Sequence, residues 1–272
     1  MKNLKENFMK DKNRYITALV LICALVALLW INNTILVWLV LGILFLIGLK
    51  ESLKLYHIDE NYKFYAVALV IWILALLHSR PIEVGIVACM ALAGYVAYKQ
   101  NLNSRLLLPF LYPTIPFLAL YSVYLDFKVD GIWWLILVIV CCDSGAYFGG
   151  KAFGKNKLSP TSPNKTIEGA IIGLALAVII GSVVGIWALN VNFFISIVFC
   201  IIVGVSGIFG DLYESYLKRK AGLKDSGSIF PGHGGVLDRL DALLFGAIAM
   251  HFLRFDVWQN TIDPSLIPNF IQ

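Results

Sequence analysis

Acidic and basic side chains crowd into one C-terminal stretch of a chain that is otherwise strongly apolar. Asp211, Glu214 and Lys218 follow one another at intervals of three and four residues, so on a helix they project from one face. Asp238 and Asp241 are likewise three residues apart on the next apolar segment. Carboxylates at one depth repel each other unless a cation lies between them, and hard oxygen ligands suit Mg²⁺ or Mn²⁺. The spacing therefore favours a divalent-metal site.

The segment between these two sets of carboxylates reads KDSGSIFPGHGG over residues 224–235. Glycine lets a backbone approach a ligand closely, and the start of the helix that follows is a favourable place for an anion. Basic groups and a glycine-rich turn, opposite carboxylates that hold a divalent ion, are the usual equipment of phosphoryl or nucleotidyl transfer. The alternative is that the carboxylates only form internal salt bridges with Lys218, Arg219 and Arg239.

A second polar segment lies upstream, at residues 143–169. A carboxylate in the middle of a membrane span costs about 2.5 to 3.5 kcal/mol, so acidic residues in apolar runs usually face a wet cavity or a cation. Six residues of this kind fall toward the same side of the predicted spans: Asp143, Glu168, Asp211, Glu214, Asp238 and Asp241. One shared site is the simplest explanation.

The loop at 149–165 only partly matches a phosphate-binding P-loop. Asn156 stands where Ser or Thr is required, and a membrane span precedes the loop where a P-loop needs a buried strand. Its basic residues run into Lys165 and Thr166 at the start of an apolar segment, which would suit an anion. Ordinary positive charge on a cytoplasmic loop explains them equally well.

The elements that carry these residues are membrane helices. Hydrophobic residues make up 59% of the 272 residues and charged residues 14%, which is outside the range of a soluble domain. A helix needs roughly 20 apolar residues to cross a bilayer. We expect an all-α polytopic protein with about nine spans: 15–31, 33–49, 64–79, 82–98, 107–125, 131–150, 167–189, 193–214 and 236–257.

The orientation follows from the basic residues. If the N-terminus is cytoplasmic, most of the 22 Lys and Arg residues fall on the cytoplasmic side. The net charge of +5 is then a signature of membrane topology and needs no nucleic-acid partner. The first apolar run lacks a small-residue cleavage site, so we expect it to remain as a span. Residues 1–106 form an N-terminal scaffold of about four helices, and residues 107–272 a catalytic region of about five.

Cysteine and proline positions add two expectations. The five cysteines fall in predicted spans without CxxC spacing, which indicates small apolar packing residues. Pro109, Pro113 and Pro116 remove backbone donors and should break the fifth span. A broken helix is tolerated in lipid where protein or a cavity covers the freed carbonyl groups, so a cavity is expected nearby.

The motif SYLKRKAGLKDSGSIFPGHGGVLDRLD, from Ser215 to Asp241, resembles the signature of the phosphatidate cytidylyltransferases, also called CDP-diacylglycerol synthases. The segments DSGAYF at 143–148 and SPNKTIEG at 162–169 also resemble motifs of that family. The likeness covers roughly the C-terminal half, while the N-terminal spans share only their hydrophobicity. Ile167 stands where a Trp is common and Ala242 where a Ser is frequent, and neither departure touches a proposed charged group.

The resemblance implies transfer of a cytidylyl group from CTP to phosphatidate, giving CDP-diacylglycerol and pyrophosphate. The implied catalytic residues are Asp211, Asp238, Lys218 and His233, although His233 could equally serve loop structure. The implied metal ligands are Asp211, Asp238, Asp241, Glu214 and Asp143. The implied substrate-binding residues are Ser162, Lys165, Thr166, Ser215, Arg219, Lys224, Gly234, Gly235 and Arg239.

The same resemblance implies Mg²⁺ as cofactor, CTP, phosphatidic acid and membrane lipids as partners, and an active site facing the cytoplasm from the inner membrane. The number of cations stays open, and a second, monovalent ion is one alternative. The oligomeric state also stays open, and a homodimer is one alternative. A CTP-dependent transferase with another lipid phosphate or a polyprenol as acceptor is the nearest competing function. A cation-coupled transporter is more remote, because inverted-repeat halves are not evident and the acidic groups lie toward one face.

Overall fold

A computed structural model describes residues 2–253 of the chain, except 101, 231 and 233. In this part of the chain the elements are α1 Lys2–Ile31, α2 Thr34–Leu55, α3 Tyr62–Leu77, α4 Pro81–Lys99, α5 Ile115–Phe153, β1 Lys157–Ser159, β2 Ser162–Thr166, α6 Ile167–Ala188, α7 Phe193–Lys220 and α8 Leu237–Phe252. A 3-10 turn, Ser104–Leu107, and a π turn, Phe110–Thr114, precede α5.

The helices have the composition of membrane spans. Among the described residues, α2, α4, α6 and α7 are long and apolar enough to cross a membrane, and Ile16–Ile31 and α3 are shorter apolar helices. Their outer faces carry exposed Val87, Ile171 and Ile179. Such faces need lipid around them, because burial of apolar surface is what removes it from water. The protein is therefore a helical membrane protein, as the composition predicts.

The predicted break in the fifth span is present. The π turn contains Pro113, and Tyr112 within it has non-helical backbone angles, with φ −137° and ψ 118°. Proline cannot donate the hydrogen bond that would continue the helix. The freed backbone is covered by protein, since Phe110, Tyr112 and Thr114 are all buried. The hydroxyl of Thr114 donates to the carbonyl oxygen of Pro109 at 2.8 Å.

Helix α5 consists of two antiparallel arms joined at Lys128, whose φ of 54° and ψ of −148° are not helical. Phe117 on the first arm lies beside Leu237, the first residue of α8, where both approach Gly48. Gly131 on the second arm approaches Met250 near the end of α8. Further along, Leu135 and Ile139 approach Gly246. The second arm thus runs back along α8, and the predicted spans 107–125 and 131–150 correspond to the two arms.

A seam of small residues joins the second arm of α5 to α6. Helix α6 carries a small residue at every fourth position: Gly169, Gly173, Ala177, Gly181 and Gly185. A Cβ on Gly145 would lie 2.8 Å from the Cα of Gly173, and one on Gly169 would lie 2.6 Å from the carbonyl oxygen of Ala146. Small residues let membrane helices approach this closely. The seam brings the start of α6 against the part of α5 that carries Asp143.

The loop between α5 and α6 differs from the sequence expectation, which had no strand there. Residues 157–166 form an antiparallel hairpin, with Lys157 opposite Thr166 and Ser159 opposite Ser162. The Ser159 hydroxyl lies 2.8 Å from that of Thr161 and accepts from its backbone N–H, which closes the turn. Because β2 leads directly into α6, the hairpin delivers Lys165 to the end of the helix bundle.

Helices α7 and α8 pack closely where both carry carboxylates. A Cβ on Gly210 would lie 2.6 Å from the carbonyl oxygen of Asp241. One turn away, the Ser206 hydroxyl donates to the carbonyl oxygen of Phe245 at 2.8 Å. This contact places Asp211 of α7 next to the turn of α8 that carries Asp241.

Candidate active site

Lys218 links the acidic faces of α7 and α8. Its Nζ lies 2.7 Å from Oε2 of Glu214, four residues earlier on α7, and 2.7 Å from Oδ1 of Asp238 on α8. The Glu214 side chain is fully buried and the Asp238 side chain is 6% exposed. The helical spacing puts Glu214 and Lys218 on one face, and the antiparallel neighbour supplies the second carboxylate.

Both carboxylate oxygens of Asp238 accept hydrogen bonds. Its Oδ2 accepts from the Ser226 backbone N–H at 2.8 Å, from the Ser226 hydroxyl at 2.9 Å and from the Gly235 N–H at 2.8 Å, while Oδ1 accepts from Lys218. Gly234 has φ +82°, and a Cβ there would lie 2.6 Å from Oδ2. Glycine is therefore required beside Asp238, and the carboxylate holds both ends of the glycine-rich loop.

Asp211 has a more open setting. The Lys165 ammonium group from β2 forms a salt bridge with Oδ2 of Asp211, and their side chains are 32% and 26% exposed. The Ser215 hydroxyl donates to Oδ1 at 3.4 Å. Both partners of the salt bridge border a cavity of about 440 Å³, whose lining also includes Asp143, Ser162, Asn164, Thr166 and Tyr147. The upstream polar segment, residues 143–169, and the C-terminal carboxylate segment therefore meet at this cavity.

A buried set of tyrosines adjoins the carboxylates from the broken helix. Tyr112 is 4% exposed, packs edge-on against Tyr213 with ring centroids 5.3 Å apart, and interacts electrostatically with Glu214 and Asp241. Within the described residues its hydroxyl has no hydrogen-bond partner. Tyr213 also bonds the hydroxyl of Tyr56 at 3.4 Å. Burial, together with this bond, raises the pKa of Tyr56, so its phenol stays neutral.

The family of the chain is decided by comparison with known proteins. The cytidylyltransferase family matches residues 12–255. A relative named phosphatidate cytidylyltransferase, from Helicobacter pylori strain ATCC 700392 / 26695, is 46% identical over 260 residues, which cover 95% of this chain and 98% of the relative. The chain belongs to the cytidylyltransferase family.

Two further relatives carry the same name, phosphatidate cytidylyltransferase. The protein from Staphylococcus haemolyticus strain JCSC1435 is 34% identical over 252 residues, covering 86% of this chain and 95% of the relative. The protein from Bacillus subtilis strain 168 is 34% identical over 187 residues, covering 63% of this chain and 67% of the relative. The likeness therefore extends into the N-terminal half, where the sequence motifs gave no sign of it.

The carboxylate oxygens in the candidate site of this cytidylyltransferase are chemically suitable ligands for a hard divalent cation. Asp143 interacts electrostatically with Asp211, and Glu214 with Asp241, while the Lys218 ammonium group lies against Glu214. Oxygen donors of this kind are what Mg²⁺ takes. Within the described residues, however, no group of three or more His, Cys, Asp or Glu side chains is arranged to hold a metal ion. The ammonium groups of Lys165 and Lys218 instead lie on Asp211, Glu214 and Asp238.

Glu168 ties the hairpin of this cytidylyltransferase to α6. Its carboxylate accepts from the backbone N–H groups of Lys155 and Asn156 at 3.1 and 3.2 Å, and from the Asn156 side-chain amide at 2.7 Å. The Thr166 hydroxyl caps α6 by accepting from the Gly169 N–H at 3.1 Å. The carboxylate and the cap fix the backbone on either side of Lys165.

Four other predicted site residues have roles that the contacts above do not test. Arg219, Lys224 and Arg239 are exposed around the end of α7 and the start of α8. His233 lies outside the described residues. The roles assigned to these four residues from the sequence stay predictions, as does a metal-ligand role for Asp238.

Glu51 is a residue of the cytidylyltransferase site that the sequence analysis missed. It lies near the end of α2 and is 4% exposed. Its carboxylate accepts from the backbone N–H groups of Val236 and Leu237 and lies 2.9 Å from the Ser226 hydroxyl. The sequence shows an acidic residue between Lys50 and Lys54, which reads as ordinary surface charge. An acidic residue just past the end of an apolar run was the available signal. The division of the chain at residue 106 stays a prediction, and the contacts of Glu51 cross it.

Proposed function

We propose that the chain transfers the cytidylyl group of CTP to phosphatidate, forming CDP-diacylglycerol and pyrophosphate. Membership of the cytidylyltransferase family, with full-length relatives named phosphatidate cytidylyltransferase, supports this reaction. The observation that carries it is the contact of Lys165 with Asp211. It joins the two motif-bearing segments at one cavity, whose lining includes both carboxylates and lysines, and phosphoryl transfer depends on such groups to position and neutralise phosphate charge.

The reaction needs little covalent help from the protein. A phosphate oxygen of phosphatidate forms a bond to the α-phosphorus of CTP, and the bond from that phosphorus to the bridging oxygen of the β-phosphate breaks. Pyrophosphate leaves with the electron pair. A phosphate is an anionic nucleophile near neutral pH, so a strong general base is not required. The site must instead position two polyanions and neutralise the charge of the leaving group.

Each side of the site has a part in this scheme. Lys165, from β2, faces the cavity and would neutralise phosphate charge once the substrate draws it from Asp211. The glycine-rich loop, held by Asp238, would present backbone N–H groups to the nucleotide. Lys218 keeps Asp238 and Glu214 in place, because its departure would leave two enclosed carboxylates without a compensating cation.

Mg²⁺ would be held by Asp211 with Asp143 and Asp241, and would supply charge neutralisation on the triphosphate. The support is the excess of carboxylates over ammonium groups in this region, together with the exposure of Asp211 to the cavity. Asp238 could join as a ligand through Oδ1, which accepts from Lys218. A second, monovalent cation would find donors at Glu214.

We also propose nine spans, a cytoplasmic N-terminus, and an active site on the cytoplasmic face of the inner membrane. The distribution of basic residues supports this arrangement. The reversal of α5 at Lys128 is consistent with it, because it allows the two arms to be separate spans. The hairpin, the end of α7 and the start of α8 then lie on one side.

The experiment is an assay of the full chain with CTP, phosphatidic acid and Mg²⁺. We expect CDP-diacylglycerol to form, to disappear when EDTA removes the metal, and to return with excess Mg²⁺. In sealed membrane vesicles, CTP added outside should react only when the cytoplasmic face is outward, because CTP does not cross the bilayer. Folded protein that forms no CDP-diacylglycerol would contradict the function. Preferential use of a competing lipid phosphate or polyprenol would identify another acceptor.

A further inference from the structure

Glu51 occupies a polar pocket inside the helix bundle, far along the chain from every other residue of the site. It lies in α2, and its side chain reaches the first turn of α8. Oε1 accepts from the Val236 N–H at 2.9 Å, and Oε2 accepts from the Leu237 N–H at 2.9 Å. Val236 itself gives no side-chain cap to α8. Glu51 therefore caps this helix from another part of the chain, where the N–H groups of a first turn lack partners within their own helix.

The glycine-rich loop is shaped around this carboxylate. A Cβ on Gly227 or on Gly235 would collide with Oε1 of Glu51. Glycine at both positions thus lets the backbone close over a buried charged group. A Cβ on Gly235 would also collide with the hydroxyl of Ser226, which is 2% exposed.

Ser226 connects Glu51 to the catalytic side chains. Its hydroxyl lies 2.9 Å from Oε2 of Glu51 and 2.9 Å from Oδ2 of Asp238. Asp238 in turn bonds Lys218, which bonds Glu214. An unbroken series of contacts therefore runs from α2 through the loop to α8 and α7.

We propose that Glu51 is a positioning residue of the active site. It fixes the first turn of α8 and the ends of the glycine-rich loop, and through them the placement of Asp238 and Lys218. Only the expected effect on kcat and KM rests on the proposed function, because the capping contacts of Glu51 do not depend on the reaction. Partners of this kind typically change activity on the order of 10- to 100-fold when they are removed.

The kinetic test compares Glu51→Gln with Glu51→Asp, and with Glu83→Gln as matched control. Glu83 is an exposed scaffold carboxylate paired with Arg80 at 3.0 Å. Gln would turn an amide donor toward a backbone N–H and remove the charge. We expect kcat/KM to fall about 10- to 100-fold, with a raised KM for CTP. Glu51→Asp should restore part of the loss, and Glu83→Gln should match wild type.

The KM separates positioning from simple loss of folded protein. A smaller folded fraction lowers the apparent kcat and leaves KM unchanged, whereas a displaced loop raises KM. Wild-type kcat and KM in Glu51→Gln would overturn the proposal. A lowered kcat with unchanged KM and no recovery in Glu51→Asp would also overturn it.

Hydrogen exchange gives a readout that does not depend on activity. In Glu51→Gln the amides of residues 226–237 should lose protection, while those of residues 167–188 in α6 should keep it. Equal loss in both segments, or none in the first, would overturn the proposal. If neither Glu51 variant folds, Ser226→Ala must show the same local loss. A wild-type protein that forms no CDP-diacylglycerol would remove the proposed function, and the exchange pattern would still decide the role of Glu51.

Discussion

The two sides of the active site are built in opposite ways. Where α7 meets α8, Glu214 is buried, Asp238 and Lys218 are largely buried, and all three are ion-paired. Asp238 also bonds both ends of the glycine-rich loop. On the side of the hairpin, Asp211 has the ammonium group of Lys165 and a long bond from Ser215, and it borders a cavity of about 440 Å³. One side is closed and ion-paired, and the other is open.

This difference indicates how the work of the site is divided. A buried ion pair rearranges only at a large desolvation cost, whereas a half-exposed pair exchanges its partner easily because water compensates each charge. The closed side therefore suits a fixed framework that sets the geometry. The open side suits the binding of the proposed cation and of phosphate groups, and Lys165 is paired with Asp211 there.

The largest expected effect is on activity at the open side. Asp211→Asn should lower kcat/KM for CTP by more than about 100-fold, because it removes the charge that faces the cavity. Its thermal stability should stay close to wild type, since Asp211 is partly exposed. Assay of CDP-diacylglycerol formation across a Mg²⁺ titration, with a melting curve, measures both.

Asp238→Asn tests the other side of the same comparison. It should also abolish turnover, but with a clear loss of stability, because the NH₂ group of an amide there would face either the N–H groups of Ser226 and Gly235 or the ammonium group of Lys218. Asp59→Asn, an exposed loop carboxylate, is the control. Equal loss of stability in Asp211→Asn and Asp238→Asn would show that the two sides do not differ.

A second effect, on stability, is expected at Lys218. Lys218→Met leaves the carboxylates of Glu214 and Asp238 buried without their cation, which should cost about 3 kcal/mol of unfolding free energy. Unfolding in detergent, followed by circular dichroism, measures it. Lys220→Met, an exposed change at the end of the same helix, controls for the loss of a lysine. A free energy of unfolding close to wild type would mean that the closed side does not depend on this pair.

The smallest expected effect is on stability at Lys165. Lys165→Met should change the unfolding free energy by less than about 1 kcal/mol, because the pair with Asp211 is partly exposed. Activity should nevertheless fall strongly, since the substrate loses a cation. A stability loss as large as that of Lys218→Met would place Lys165 in the framework and end the division between the two sides.

Local spacing predicted much of the catalytic face. Asp211, Glu214 and Lys218 share a face because a helix repeats every 3.6 residues, and this holds whatever surrounds the helix. The prolines predicted the broken helix before α5 for a similar reason, since the missing donor is a property of the residue. The motifs also indicated that the segment around Lys165 belongs with the C-terminal carboxylates.

Contacts between segments far apart in the chain could not be predicted from the sequence. Glu51 lies 175 residues from Ser226, and no local pattern relates them. Its neighbours Lys50 and Lys54 suggested surface charge, although the fold buries Glu51 and turns Lys50 outward toward Glu60. The hairpin of β1 and β2 was missed because its strands are short and polar, without the alternation of apolar residues that marks a strand.

The sequence by itself determined the membrane helices, the carboxylate-bearing faces of α7 and α8, and the class of chemistry, because hydropathy and helical periodicity are local properties. Only the tertiary structure decided which carboxylate is closed and which is open, and that a glutamate of α2 caps α8. Burial and partner choice depend on what packs against a side chain. Asp211 and Asp238 therefore look alike in the sequence and differ in the folded protein.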